Sequence, residues 1–254
     1  MPSPQEPHDP HENAGFPAVS PIGVDGLLIA FGGRLTEPAN RAALAFRAEV
    51  DAAGLTGVVE TATAPAAVYV RFDHGQTAHV ALQDELGALL SARDWWSAPL
   101  PAGRRRWLVP AAFGAEHGPL LDEAATMAGL SPDAAVAALC ARPLRVQTIG
   151  FAPGQPYLGQ LPAEWDLPRL SSLTRVPDGA VTVAIRQVVL FSVASPTGWR
   201  HVGQTALRLF RPESGIPSLL RPGDEVQFRP VGARELDALR RDAPDGGAVA
   251  EALE

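Results

Sequence analysis

The sequence predicts an α+β chain: a small mixed unit of strands and two helices first, then a closed β-barrel or sandwich. Three observations predict it. Up to about residue 109, short apolar runs alternate with two helical patterns in the order β-α-β-β-α-β, that of a ferredoxin-like unit. From Leu144 to Pro230, short β-rich runs follow one another, cut by Pro/Gly turns. Between them, Ala98–Arg106 is rich in Pro, Gly and Arg and reads as a join. The expected divisions are a disordered tail over 1–21, the first domain over 22–97, the barrel over 98–233 and a charged tail over 234–254.

In order, Gly26–Phe31 (GLLIAF) is an apolar run suited to a strand. Pro38–Ala53 reads as a helix, with Pro38 at its start and Gly54 as its stop. Val58–Ala62 and Val68–Phe72 are β-rich. Thr77–Arg93 reads as a helix capped by Thr77, with Val80, Leu82, Leu86, Leu89 and Leu90 as its apolar stripe. Arg106–Val109 is the expected closing strand of the first unit. A helix follows from about His117 to Gly129, then another from Ser131-Pro132 to just before Pro143. The barrel strands are expected at 146–149, 180–185, 188–193, 206–210 and 225–229. Their turns are Pro177-Asp178-Gly179, Ser195-Pro196-Thr197-Gly198 and Arg221-Pro222-Gly223-Asp224. The end of the chain, from Arg234, reads as a frayed helix or tail.

The totals exclude several classes. A net charge of −7 argues against general nucleic-acid binding. No apolar run reaches membrane-spanning length, and the Pro- and His-rich first residues do not read as a secretory signal. His8 and His11 are too few to make a metal site. Cys140 is the only cysteine, which excludes a disulfide framework and leaves a core thiol on a helix. All 21 basic residues are arginine. A Schiff-base lysine and a P-loop lysine are therefore both impossible, and any phosphate contact falls to arginine or backbone N–H groups.

The stretch Thr148–Gly159 (TIGFAPGQPYLG) carries three glycines, two prolines and two aromatics. Pro153-Gly154 signals a turn, and two prolines this close oppose both helix and central strand. It reads as a shaped loop bearing Phe151 and Tyr157, lining a site or capping a barrel. No nucleophile elbow surrounds Ser195, and no metal-ligand spacing appears.

Several motifs occur in order: Gly150-Phe151-Ala152-Pro153-Gly154, Pro156-Tyr157-Leu158-Gly159, Pro168-Arg169-Leu170 and Thr174-Arg175-Val176-Pro177-Asp178-Gly179. Ser195-Pro196-Thr197-Gly198-Trp199, Gly203-Gln204-Thr205, Leu207-Arg208-Leu209-Phe210 and Leu220-Arg221-Pro222-Gly223-Asp224 complete the set. Together they resemble the family of Kip-type kinase inhibitors, allophanate hydrolase subunit 1 and the B-type subunits of 5-oxoprolinase. The resemblance implies a ferredoxin-like domain followed by a cyclophilin-like barrel, in a cytoplasmic protein. It implies a carboxyltransferase-like C-type partner subunit and a third, A-type subunit, together opening 5-oxoproline to glutamate with ATP bound through the complex. Two alternatives come with the family: a module that inhibits a sensor histidine kinase, and a half-domain of a biotin-dependent urea carboxyltransferase or allophanate hydrolase system.

Opening an amide requires an activated carbonyl oxygen, a place for developing negative charge and a positioned water. Arg175 suits a substrate carboxylate or phosphate, or else a rim ion pair. Glu116 stands in the family's Gly-Glu-Phe-Gly-Pro pattern, here Ala115-Glu116-His117-Gly118-Pro119, as an acid/base group, a subunit contact or a helix-start carboxylate. Gln187 suits a ligand amide or a strand-edge bond. These three are the candidate catalytic residues. Phe151, Pro153, Gly154, Tyr157 and His117 are the candidate substrate-binding residues, with His117 equally suited to a structural place. No metal is expected. Two departures stand out: Gln155 replaces a family aromatic, and Ile185-Arg186 replace two glycines.

Overall fold

The N-terminal unit opens with a hairpin, β1 (Ala18–Ile22) and β2 (Gly26–Ala30), followed by α1 (Glu37–Ala53), β3 (Val58–Ala64), β4 (Ala67–Phe72) and α2 (His79–Ser91). The computed structural model describes residues 15–253, and these divide into two compact units between Pro101 and Ala102. His8 and His11 lie outside the described residues. The tail expected over 1–21 is corrected at its end, because Ala18–Pro21 pair with Leu27–Ala30. Pro21 hid this strand, and β1 accommodates it as the outer strand of an antiparallel sheet ordered β1-β2-β4-β3.

The ferredoxin-like connectivity is also corrected. The strand expected to close this sheet after α2 belongs to the second unit, and β1 fills the edge beside β2 instead. Pro38 and Gly54 act in α1 as read, with Gly54 ending the helix at φ 57°; the structure adds an N-cap, Thr36, which accepts from Ala39 N at 3.3 Å. Thr77 does not cap α2. Asp73 accepts from Gly75 N and Gln76 Nε2 and holds residues 73–77 in a turn, so the helix starts after Ala78 without a side-chain cap. Leu27, Ile29, Val68 and Val70 alternate inward and pack on Phe46, Val50, Leu82 and Leu86.

The second unit runs β5 (Arg105–Phe113), α3 (Leu121–Met127), α4 (Pro132–Cys140), β6 (Leu144–Gly150), β7 (Gln155–Gly159), β8 (Thr174–Val176), β9 (Ala180–Ala184), β10 (Gln187–Leu190), β11 (Ser195–Thr197), β12 (Arg200–Thr205), β13 (Glu225–Pro230), α5 (Ala233–Asp242) and β14 (Val249–Ala252). Seven strands close a barrel in the order β12-β9-β10-β7-β6-β13-β5, with β5 returning to β12. Closure works because β5 is long. Ala111–Phe113 pair with β12, while Arg105–Leu108 pair with β14. All seven strands send residues to one apolar core, among them Val109, Val146, Leu158, Val183, Val188, Val202 and Val226, so this core is the barrel interior. Leu121, Ala124 and Leu139 of α3 and α4 join it. Cys140 is half-buried against this core, and burial pushes its thiol up to about 11.

Four further expectations change here. The Thr148–Gly159 stretch is a β6–β7 hairpin rather than a loop throughout. Pro156 pairs with Ile149 at the strand end, past the point where β10 stops pairing, so a central strand carries it. Ala206–Phe210 forms no strand, only a bridge from Phe210 to Ser218. The helix expected from His117 begins at Leu121, after a short 3₁₀ turn over Ala115–His117. Finally, the expected C-terminal tail is structured: α5 packs on the barrel through buried Leu236, and β14 extends the sheet beside β5.

Candidate functional site

Strand alternation gives the barrel an outer face beside its core. On β9 the inward residues are Val181 and Val183, while Ala180, Thr182 and Ala184 point out. Register then carries the outward row across the sheet. Tyr157 pairs with Val189, Val189 with Thr182, and Thr182 with His201. Three strand spacings span roughly 14 Å. A two-stranded ribbon, β8 with β11, covers part of this face. Val176 of the ribbon, Ala180, Ala184, Val189, Phe191 and Trp199 make a second, smaller core beneath it.

A cleft of about 180 Å³ opens beside the ribbon, walled by Tyr157, Val189, Phe191, Trp199, Gln155 and the Ser195–Thr197 strand. The β6–β7 turn forms its rim through Phe151, which is 86% exposed. Gly150 is required here. A Cβ on it would stand 2.8 Å from Cε2 of the Tyr157 ring, so the ring lies against bare backbone. Tyr157 meets Trp199 edge to face, and the Arg169 guanidinium lies 5.4 Å from the Trp199 ring centre. Phe151 O is held twice, by Gln155 Nε2 at 2.8 Å and by Tyr157 Oη at 3.3 Å.

Of the sequence candidates, Phe151 and Tyr157 line this cleft. Pro153 and Gly154 shape its turn without lining it. Gly154 sits at φ 72°, where an added Cβ would stand 3.0 Å from Phe210 Cβ. Gln187 is buried and donates Nε2 to Gln147 Oε1 at 2.9 Å, apart from the cleft lining. Arg175 lies opposite Pro196 in the ribbon, on the exposed side away from buried Val176, and has no ion-pair partner among the described residues.

Glu116 and His117 lie elsewhere, on the 3₁₀ turn that packs against β12. Gly114 N and Leu120 N bond to Val202 O and His201 O, which ties this turn to the strand. The Glu116 carboxylate stands 3.7 Å from His117 Nε2 and is 78% exposed. His201, only 7% exposed, has no hydrogen-bond partner for Nε2 among the described residues, and neither has His117 for its own. Desolvation holds the His201 imidazole below its ordinary pKa, and the nearby charge of His117 adds to this. Among the described residues no group of three or more His, Cys, Asp or Glu could hold a metal, and no helix is long and apolar enough to cross a membrane.

Trp199, Gln155 and His201 were not among the sequence candidates. Two signals pointed toward them: the Ser195–Trp199 motif, and the period-two spacing of Gln155 with Tyr157.

The comparisons agree with this architecture. Residues 17–220 match the family described as carboxyltransferase domain, subdomain C and D. The B subunit of 5-oxoprolinase from Escherichia coli O157:H7 is 37% identical over 148 residues, covering 57% of this chain and 68% of that protein. Its namesake from Bacillus subtilis (strain 168) is 36% identical over 141 residues, covering 55% of this chain and 59% of that one. The matched stretch thus spans less than two thirds of the Bacillus relative. The crystal structure of TTHA0988 superposes with a TM-score of 0.69 at 31% identity, covering 83% of this chain and 40% of that one. The Kluyveromyces lactis urea amidolyase shares the fold, with a TM-score of 0.68 at 18% identity over 92% of this chain and 16% of that one. With its barrel, its motifs and a match over most of its length, the chain belongs to the carboxyltransferase subdomain C and D family, which its motifs link to the Kip-type proteins and the B-type subunits of 5-oxoprolinase.

Proposed function

We propose that the chain is the B-type subunit of an ATP-dependent amide-opening system, of the 5-oxoprolinase type or acting on a related cyclic amide or urea-like substrate. It works in the cytoplasm with a carboxyltransferase-like C-type subunit and a third, A-type subunit. ATP is bound through the complex, and the barrel is of the cyclophilin-like kind.

The observation that carries this reading is the make-up of the cleft. Aromatic and apolar walls with a buried side-chain amide suit the binding of a small amide. No cysteine, histidine or carboxylate lines it, and its Ser195 donates to Val193 O with no base beside it. Such a site binds and orients, and its chemistry comes from a partner. The relatives named as B subunits of 5-oxoprolinase support a place in a multi-subunit system.

The test is co-expression with the carboxyltransferase-like and A-type products of neighbouring genes, followed by assay of amide-dependent ATP hydrolysis. Turnover by the complex and none by the chain alone is the expected result. Turnover by the chain alone, or none by the complex across 5-oxoproline and simple lactams, would overturn the reading.

A further inference from the structure

Gln155 is 4% exposed and lines the cleft. Its Nε2 donates to Phe151 O at 2.8 Å. A carbonyl oxygen only accepts, so this contact fixes which end of the amide is nitrogen. Oε1 is left buried and without a hydrogen-bond partner among the described residues. Around it, Tyr157 Oη donates to Phe151 O, Ser195 Oγ donates to Val193 O, and Thr197 Oγ1 accepts from Trp199 N. Oε1 is therefore an acceptor waiting for a donor, and an unmet buried acceptor is costly.

Charge narrows the ligand further. No arginine, aspartate or glutamate lines the cleft. Arg169 is engaged on the Trp199 ring, and Arg175 stands on the outward side of the ribbon. A carboxylate carried into this cleft loses its water and meets no cation among the lining residues. Phe151, the most exposed residue of the lining, is the wall that can give way to admit a ring.

We propose that Gln155 is the specificity-determining residue of this cleft. It selects an uncharged ring with an N–H donor, a neutral cyclic amide or ureide, over the same ring carrying a carboxylate or lacking the N–H. The ring N–H donates to Gln155 Oε1, with Tyr157 and Trp199 as two of the walls around the ring. This rests on the reading of the chain as an amide-binding subunit, and it assigns the neutral member of that substrate class.

The test uses the purified chain and three probes: 2-pyrrolidone, N-methyl-2-pyrrolidone and 5-oxoproline. Binding is followed by NMR shifts of the Gln155 side-chain amide and the Trp199 indole. The expected order is 2-pyrrolidone tightest, about fivefold or more over the N-methyl analogue, as one net hydrogen bond implies. 5-Oxoproline is expected to be weaker than 2-pyrrolidone by about tenfold or more, for want of a cation. Gln155→Leu and the closer-shaped Gln155→Met should both bring the N-methyl preference within about twofold while the indole still shifts. Equal affinity for the two lactams, a preference that survives in both variants, tightest binding of 5-oxoproline, or no shift with any probe would each overturn the proposal. Amide-dependent ATP hydrolysis by the complex is scored separately, so failure here leaves the subunit reading standing.

Discussion

Trp199 stands edge to face on Tyr157, with ring centroids 6.2 Å apart and the planes at 79°. This contact joins the β6–β7 hairpin to the segment entering β12 and closes the small outer core. Trp199→Ala removes a buried ring and its Arg169 contact, and is expected to cost about 3 kcal/mol or more in denaturant unfolding. Tyr157→Phe keeps the ring and loses only the bond to Phe151 O, which Gln155 still supplies, so its expected cost is about 1 kcal/mol. Equal costs for the two variants would mean that the hydroxyl, not the ring pair, holds this face together.

A second prediction concerns the β9–β10 turn. Ile185 and Arg186 both have positive φ, 43° and 60°, as a two-residue hairpin turn of mirror-image type demands. A β-branched residue is strained there. Ile185→Asn is expected to stabilise the chain by about 1 kcal/mol, read as a rise in Tm of a few degrees. Arg186 should be kept, because its Nε donates to Leu161 O at 3.0 Å. A fall in Tm for Ile185→Asn would show that the turn is not strained as described.

A third prediction follows from the Arg221–Asp224 turn. Asp224 is buried, and Oδ1 accepts from Arg105 N at 2.9 Å while Oδ2 accepts from Arg105 Nη2 at 2.6 Å and Arg221 N at 3.1 Å. It ties the start of β5 to the turn before β13. Asp224→Ala leaves those donors unmet and is expected to cost about 3–5 kcal/mol. A loss below about 1 kcal/mol would place this pair among surface ion pairs in effect.

The fourth prediction is a pH dependence. Burial first, and the His117 charge last, lower the folded pKa of His201, against hydrogen bonds with Gly203 and Gln204 that raise it. The unfolded chain then takes up its proton at higher pH than the folded one. Stability from this group is complete above the unfolded value of about 6.5 and falls as pH drops below it. His201→Gln is expected to flatten Tm between pH 7 and 5 relative to the parent chain. An unchanged slope would assign the acid sensitivity to other groups.

The legible parts of the fold were those set by local chemistry. Pro38 and Gly54 bound α1, and Ser131 with Pro132 starts α4, as a preset φ, a left-handed stop and a side-chain cap require. What stayed hidden depends on neighbours. Val249–Ala252 carries no strand pattern and is a strand only because β5 runs past β12 and leaves an edge to fill. Arg106–Val109 reads as a strand, but nothing local says which sheet takes it. Ala206–Phe210 has strand-like residues without a partner strand. The candidate site was legible in its aromatics, Phe151 and Tyr157. It was not legible in Gln155 or Trp199, whose roles depend on a pairing register and on a ribbon brought from elsewhere in the chain.

Whether the cleft is where the amide binds is decided by the amide-dependent ATPase of the assembled complex, measured for three variants beside the parent. Trp199→Leu, confirmed folded, should raise KM for the amide about tenfold or more, because it removes a wall of the cleft. Arg175→Ala and Glu116→Gln, which lie off the cleft, should each stay within about twofold of the parent. Loss of kcat in Arg175→Ala or Glu116→Gln with Trp199→Leu unaffected would contradict this assignment and move the substrate away from the cleft.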